Sequence, residues 1–228
     1  MKKILVYVLA LSAILNLSSF CSAADSRAVC KVRCKSKKVA LTFDDGPHPV
    51  YTPEILDILS EYGVKATFFI VGENAEEHPD LIIDEIAGGH EIGCHTYSHS
   101  FINKLNSDQM KSELTKSESV MSSICDYKIN YVRPPGGIYG DTFCTISEKF
   151  GYKIVLWSVD TCDWKRPSSE YIVNVINAEV GPGDIILMHD YVAGGPSSTP
   201  YALKSVIPSL LENGYEFVTL TELLSQDS

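Results

Sequence analysis

Residues 38–71, KVALTFDDGPHPVYTPEILDILSEYGVKATFFIV, decide the fold. The stretch opens with an apolar run at 39–43 and closes with another at 66–71, and both runs are rich in the residue types that favour β-strands. Between them, apolar residues recur at three- and four-residue spacing, which predicts a helix over 52–62 that ends at Gly63. The stretch therefore predicts a strand, a helix and a second strand.

The same alternation continues toward the C-terminus. Five more apolar runs are predicted as strands, at 90–94, 131–133, 154–159, 185–188 and 217–220. Seven strands joined by helical segments predict a mainly parallel sheet in one α/β domain, because parallel neighbours need crossover helices. At this length we expect closure into a barrel rather than the alternative, an open doubly wound sheet. The sequence contains no nucleotide-binding glycine-rich loop, which would have favoured the open sheet.

The longest helix is predicted over 106–126. Its core-facing stripe would consist of Met110, Leu114, Ser117 and Met121.

The composition limits the classes of partner. With 228 residues, 45% of them hydrophobic and 21% charged, the chain matches an ordinary globular domain. With a formal net charge of −10, the chain lacks the positive charge typical of nucleic-acid-binding proteins. We therefore expect it to bind a neutral or positively charged polymer more readily than a nucleic acid. Because the end at 225–228 is polar, we expect no hydrophobic tail of a lipid-anchor signal. We expect a monomer.

The N-terminus has a basic start, an apolar run at 4–15 and a small-residue end, which is typical of a signal peptide. We predict a signal peptide over 1–23, an N-terminal extension over 24–37 and a barrel domain over 38–228. The mature chain would be secreted to the cell wall or cell surface; an uncleaved anchor is the alternative. Cleavage would leave six cysteines, an even number that favours disulfides in an oxidising compartment but fixes no pairing.

Unusual polar residues follow the C-terminal ends of the predicted strands, where barrels of this type carry their active sites. In chain order they are Asp44, Asp45, His95, His99, Arg133, Asp160, Asp163 and His189. Any one of them could be an ordinary loop residue. Their convergence on one rim predicts a functional site.

His95 and His99 are four residues apart, so a helical turn would place both imidazoles on one face, where they could bind one ion. Asp44 or Asp45 is the nearest carboxylate for a third ligand, and such a set leaves positions open for water and substrate. The other carboxylate could then take a proton from water, and His189 could donate one to the leaving group. The alternative is that Asp-Gly-Pro forms a plain turn.

Five segments carry a resemblance to a known family: TFDDGP (42–47), HTYSH (95–99), RPP (133–135), DTCDW (160–164) and LMH (187–189). In this order they resemble the motifs of the polysaccharide deacetylases of carbohydrate esterase family four, the NodB homology domain, which include chitin, chitooligosaccharide and peptidoglycan deacetylases. The resemblance covers 38–220 and implies a distorted (β/α)7 TIM-like barrel. It also implies hydrolytic removal of acetyl groups from N-acetylglucosamine units of a cell-wall polysaccharide such as chitin or peptidoglycan.

The resemblance further implies roles for individual residues. Asp45, His95 and His99 would hold zinc or another divalent ion. Asp44 would be the general base, paired with and oriented by Arg133.

The resemblance also assigns the acid and the pocket. His189 would be the general acid, held by Asp163. Trp164 and Leu187 would shape the pocket around the acetyl methyl group; the alternative is that both only fill the core.

Gly136 departs from the family pattern, which usually has an aromatic residue after Arg-x-Pro. The resemblance implies that the backbone N–H at this position, with the metal, stabilises the tetrahedral oxyanion. Glycine keeps the N–H but lacks a side chain to fix it, so the rival hypothesis is a catalytically weak or inactive polysaccharide-binding protein. We expect Gly136→Tyr to raise kcat/KM, provided that φ at Gly136 is not positive. A glycosidase would leave the histidine pair unused, and non-haem iron oxygenases normally use another scaffold.

Overall fold

The Val-, Ile- and Phe-rich runs pair side by side in one sheet. The computed structural model describes residues 26–226. Its strands are β1 (Ala28–Val29), β2 (Lys38–Asp44), β3 (Thr67–Ile70), β4 (Glu91–Cys94), β5 (Tyr131–Val132), β6 (Lys153–Val155), β7 (Val159–Asp160), β8 (Ile185–His189) and β9 (Glu216–Phe217). Their order is β1-β6-β5-β4-β3-β2-β8-β7, with β9 against β2, and the named strands pair in parallel. The sheet curls into a half barrel of the (β/α)7 type, so the predicted single-domain fold class is confirmed.

Helices connect the strands. They are α1 (Tyr51–Glu61), α2 (Gly72–Glu77), α3 (Pro79–Ala87), α4 (Ser107–Ile124), α5 (Asp141–Phe150), α6 (Ser169–Glu179), α7 (Thr199–Glu212) and α8 (Leu220–Leu224). The helix predicted over 106–126 is α4, which begins with a reciprocal capping box between Asn106 and Gln109. Its predicted stripe is buried, which confirms core packing.

Strand β2 delivers side chains to two faces of the sheet. Leu41 and Phe43 belong to the hydrophobic cluster shared with the helices, whereas Ala40 belongs to a second cluster. Because strand side chains alternate, Thr42 and Asp44 share the face of Ala40. Both are buried, with 0% and 3% of their surface exposed. The strand therefore carries a carboxylate into the interior at its C-terminal end.

The strand predicted over 154–159 is interrupted, so it forms β6 and β7. The carbonyl of Leu156 accepts a hydrogen bond from Arg133 Nη2 at 2.8 Å. Two residues later, the backbone N–H of Ser158 donates to the carbonyl of Ile185 at 3.0 Å. The chain thus changes its strand neighbours between β6 and β7. In the gap between them, the carbonyl of Leu156 is used by the buried side chain of Arg133.

Two further boundaries differ from the prediction. The strand predicted over 217–220 ends at Phe217, because the Thr219 side chain accepts a hydrogen bond from the backbone N–H of Glu222 and caps α8. Strand β1 was not predicted; it pairs with β6, so part of the predicted N-terminal extension joins the sheet.

The predicted signal peptide, 1–23, lies outside the described residues. No helix within 26–226 is long and apolar enough to cross a membrane. Cys34, Cys94, Cys125 and Cys162 are free thiols. Disulfides in the mature chain stay a prediction.

Candidate active site

One cavity of about 320 Å³ opens at the C-terminal ends of the strands. It is lined by Asp44, Asp45, His95, His99, Phe101, Gly136, Trp157, Asp160, Trp164, Leu187 and His189. Residues far apart in the sequence therefore meet in one place, as their positions after the predicted strands indicated.

Asp45, His95 and His99 form a cluster whose ligand atoms lie within 4.8 Å of one another. Asp45 Oδ1 is 3.3 Å from His95 Nε2 and 3.1 Å from His99 Nε2. His95 Nδ1 lies 2.8 Å from the carbonyl of Arg133; a carbonyl can only accept, so Nδ1 carries the proton and Nε2 offers a lone pair. Asp44 is farther away, with Oδ2 at 3.7 Å from His95 Nε2. Two imidazoles and one carboxylate fit a divalent metal ion.

The electrostatics of Asp45 match a ligand role. Burial acts to raise the pKa of this carboxyl, but the neighbouring imidazoles of His95 and His99 outweigh burial and hold the pKa well below its usual range. Asp45 is therefore ionised, as a metal-binding carboxylate must be.

The helical turn predicted to bring the two histidines together is wrong. The segment 95–99 is an irregular loop in which Thr96 and His99 have left-handed φ values of 68° and 54°. Asp45 has a φ of 76°. Non-glycine residues in this region cost about 1–3 kcal/mol each and concentrate at functional sites. Three such residues lie within the two segments that carry the candidate ligands.

Glu113 on α4 holds this loop in place. Its Oε2 accepts hydrogen bonds from the backbone N–H groups of Tyr97 and Ser98, at 3.0 and 2.8 Å, and its Oε1 accepts from the Ser98 hydroxyl at 2.9 Å. The sequence did not indicate this role, because Glu113 is one of many polar residues on an ordinary amphipathic helix.

The candidate base, Asp44, is held in position by a hydrogen bond from Arg133. Arg133 is fully buried, and its Nη1 donates to Asp44 Oδ1 at 2.7 Å and to Thr42 Oγ1 at 2.9 Å. Its other nitrogens donate to the carbonyls of Val155 and Leu156. The guanidinium is thus fixed on several sides, and one oxygen of Asp44 remains for chemistry in the cavity.

The candidate acid, His189, is held in position by hydrogen bonds to Asp163. His189 Nδ1 lies 2.7 Å from Asp163 Oδ1, while Asp163 Oδ2 accepts from the backbone N–H of His189 and from the Thr199 hydroxyl. Burial acts to lower the pKa of His189, but the charge and hydrogen bond of Asp163, with the charges of Asp45 and Asp44, raise the pKa to about 10. The imidazole is therefore protonated at neutral pH.

The remaining predicted residues line the cavity in different ways. Leu187 is buried, whereas Trp164 is 49% exposed and is not a core side chain. Gly136 has a φ of 66°. The condition attached to Gly136→Tyr is thus not met, and the expected gain in kcat/KM does not stand. Trp157 was not predicted at the site, and its aromatic ring lines the cavity as well.

Asp190 is a second residue that the sequence did not reveal. It is 1% exposed and accepts a hydrogen bond from the Thr52 hydroxyl at 2.6 Å, which in turn accepts from the backbone N–H of His48 at 2.8 Å. Burial raises the pKa of Asp190 to about 7. A Cβ on Gly46 would lie 1.9 Å from Asp190 Oδ2, so only glycine fits there. These contacts join the Asp45 turn to the strand end that carries His189.

Comparisons with known proteins agree with this geometry. The family described as polysaccharide deacetylase matches residues 31–155. A peptidoglycan-N-acetylglucosamine deacetylase of Bacillus cereus is 40% identical over 186 residues, covering 82% of this chain and 68% of the relative. A chitooligosaccharide deacetylase of Sinorhizobium fredii is 38% identical over 187 residues, covering 78% of this chain and 87% of the relative.

A solved structure gives the same fold. A family-four carbohydrate esterase pseudoenzyme from Bacillus anthracis superimposes with a TM-score of 0.81 at 32% identity, covering 87% of this chain and 69% of that one. Because a pseudoenzyme shares the fold, activity must be argued from side chains.

Proposed function

Because this chain belongs to the polysaccharide deacetylase family, whose active members are metal-dependent hydrolases of N-acetyl amide bonds, we propose that it removes acetyl groups from N-acetylglucosamine units of a cell-wall glycan. Chitin and peptidoglycan both carry this unit, and relatives are named for substrates of each kind. The proposed place of action is outside the cell, after export directed by the N-terminal segment.

The convergence of three elements in one cavity carries the proposal. Asp45, His95 and His99 offer a metal-ligand set, while Asp44 and His189 stand beside it, each oriented by a buried partner. A zinc ion held by this set would polarise the acetyl carbonyl and lower the pKa of a water molecule.

The side chains of the protein then divide the proton transfers. Asp44 takes a proton from the attacking water, because Arg133 fixes one of its oxygens and leaves the other available. The backbone N–H of Gly136 donates to the oxyanion that forms at the acetyl carbon. His189, already protonated, donates from Nε2 to the amide nitrogen as the C–N bond breaks. The products are acetate and a free amine on the sugar.

A second candidate function is a glycan-binding protein with little or no turnover. The likeness to a pseudoenzyme and the glycine at 136 favour it. Acetate release from N-acetylated chitooligosaccharides and peptidoglycan fragments, assayed with added zinc, tests the two functions. Release supports the deacetylase, and tight binding without release supports the rival.

Removing a metal ligand is expected to abolish metal binding. His95→Ala should lose stoichiometric divalent ion because one of the two imidazoles at Asp45 disappears, while circular dichroism shows a folded protein. Elemental analysis after dialysis measures the effect. His78→Ala, a histidine outside the cavity, is the matched control and should keep the ion. Equal metal content in both variants would refute the ligand assignment.

Gly136→Tyr is expected to impair the protein. A side chain at a φ of 66° costs about 1–2 kcal/mol, and its Cβ would meet Phe101 Cε1 at 3.0 Å. The temperature of thermal unfolding and kcat/KM should both fall. Gly140→Tyr is the matched control, since Gly140 has an extended φ of −152° and open space around it. A tyrosine at 136 that raises kcat/KM would contradict this expectation.

A further inference from the structure

We propose that Phe101 is a glycan-contacting residue that holds a sugar ring at the mouth of the cavity. This inference rests on the proposed function and adds a substrate contact to it. Phe101 follows the second histidine of the metal cluster and lines the same cavity as His99 and His189. It lies in none of the five segments that carry the family resemblance.

The ring of Phe101 occupies the space that a side chain at position 136 would enter. A Cβ built on Gly136 would lie 3.0 Å from Phe101 Cε1 and 3.6 Å from Cδ1. Because position 136 is glycine, the ring of Phe101, which comes from a different loop, fills this part of the cavity.

Phe101 is anchored by its neighbours yet open to ligand. Its carbonyl accepts a hydrogen bond from the backbone N–H of Lys104 at 2.9 Å, and the adjacent Ile102 is 1% exposed. The ring centroid lies 6.2 Å from that of His99, with the planes at 60°. Nevertheless, 39% of the Phe101 surface is exposed. Covering an anchored apolar ring releases hydrophobic free energy with little loss of side-chain freedom.

The cavity presents a second exposed ring together with polar side chains. Trp164, 49% exposed, lines the same cavity, and so do the ionisable side chains of the candidate site. A pyranose ring has C–H groups on its faces, which aromatic rings contact well, and its acetamido group is polar. The arrangement therefore fits an oligosaccharide of N-acetylated hexosamine better than a small isolated amide.

Three variants test the contribution of the ring. Phe101→Ala should raise KM for N-acetylated chitotetraose by about 3- to 10-fold, the scale of one aromatic contact, and KM should change more than kcat. Phe101→Tyr keeps the ring and should restore KM to near the wild-type value. Tyr201→Ala removes a 70% exposed aromatic side chain outside the cavity and should leave KM unchanged.

A binding measurement separates this inference from the proposed function. Calorimetric titration of the tetrasaccharide into Asp44→Asn protein, with and without Phe101→Ala, gives Kd without turnover. If the wild-type protein releases no acetate, the proposed function fails, yet a Kd weakened 3- to 10-fold by Phe101→Ala still supports the sugar contact. Equal Kd values with and without the ring would overturn it. A Phe101→Ala protein that loses its metal would also overturn it, because the ring would then only support His99.

Discussion

Replacing Asp44 with asparagine is expected to lower kcat by about 10²- to 10⁴-fold, the usual contribution of a general base. Asparagine has nearly the same shape and can still accept the hydrogen bond that Arg133 Nη1 makes at 2.7 Å, but it cannot take up a proton. Steady-state acetate release measures the loss. Metal content should stay at the wild-type level, since Asp45 and not Asp44 belongs to the proposed metal-ligand set.

The control for Asp44→Asn must account for Arg133, which is fully buried and would lose its counter-charge. Breaking a buried ion pair costs about 3–5 kcal/mol of stability, so thermal unfolding must accompany the kinetics. Thr42→Val removes another partner of Arg133, at 2.9 Å, without removing the base. It should lower kcat far less. Equal losses in the two variants would assign the effect to a displaced Arg133 rather than to proton transfer.

His189→Ala is expected to lower kcat by about 10²-fold or more, because the leaving amine would lose its proton donor. Asp163→Asn should act on the same group through its pKa. Removing the charge that raises the pKa of His189 to about 10 lowers that pKa. The acid must be protonated to work, so the alkaline limb of the kcat profile should move to lower pH.

The matched control for Asp163→Asn is Thr199→Val, which removes a hydroxyl that donates to Asp163 but leaves the carboxylate charge in place. The alkaline limb of the kcat profile should move much less in Thr199→Val than in Asp163→Asn. An unchanged limb in Asp163→Asn would contradict the acid assignment.

His189 also links stability to pH in the metal-free protein. Its folded-state pKa is raised above the ordinary value of 6.5, so the folded chain binds this proton more tightly than the unfolded chain. That contribution is fully present below pH 6.5 and is lost as the pH rises through about 10. Asp163→Asn should reduce this part of the pH dependence.

Much of the fold followed from local sequence. The helix α4 was predictable because a polar cap, Asn106, precedes a regular apolar stripe. The break in the strand predicted over 154–159 was not, because it depends on Arg133, a side chain distant in sequence that bonds to the carbonyl of Leu156. The short strand β1 gave too little periodicity to detect, and its pairing with β6 is a tertiary event.

The site was predictable in its residues and less so in its geometry. The positions after successive strand ends identified the polar set, but the choice between Asp44 and Asp45 as ligand stayed open. In the structure Asp45 lies nearer to the two histidines than Asp44 does, and its left-handed φ is a conformation that sequence spacing does not encode. The same holds for Gly136, whose φ of 66° reversed the expected effect of a tyrosine. Support from Glu113 and Asp190 arises only once distant elements pack together.

Metal-dependent deacetylation is the central claim, and one measurement tests it most directly. The purified protein is stripped of metal with a chelator and incubated with N-acetylated chitotetraose before and after zinc is restored, while acetate and free amine are quantified together. We predict no product from the stripped protein, and equal amounts of acetate and amine after zinc is returned. Binding of the sugar without either product in the zinc-loaded protein would contradict the account.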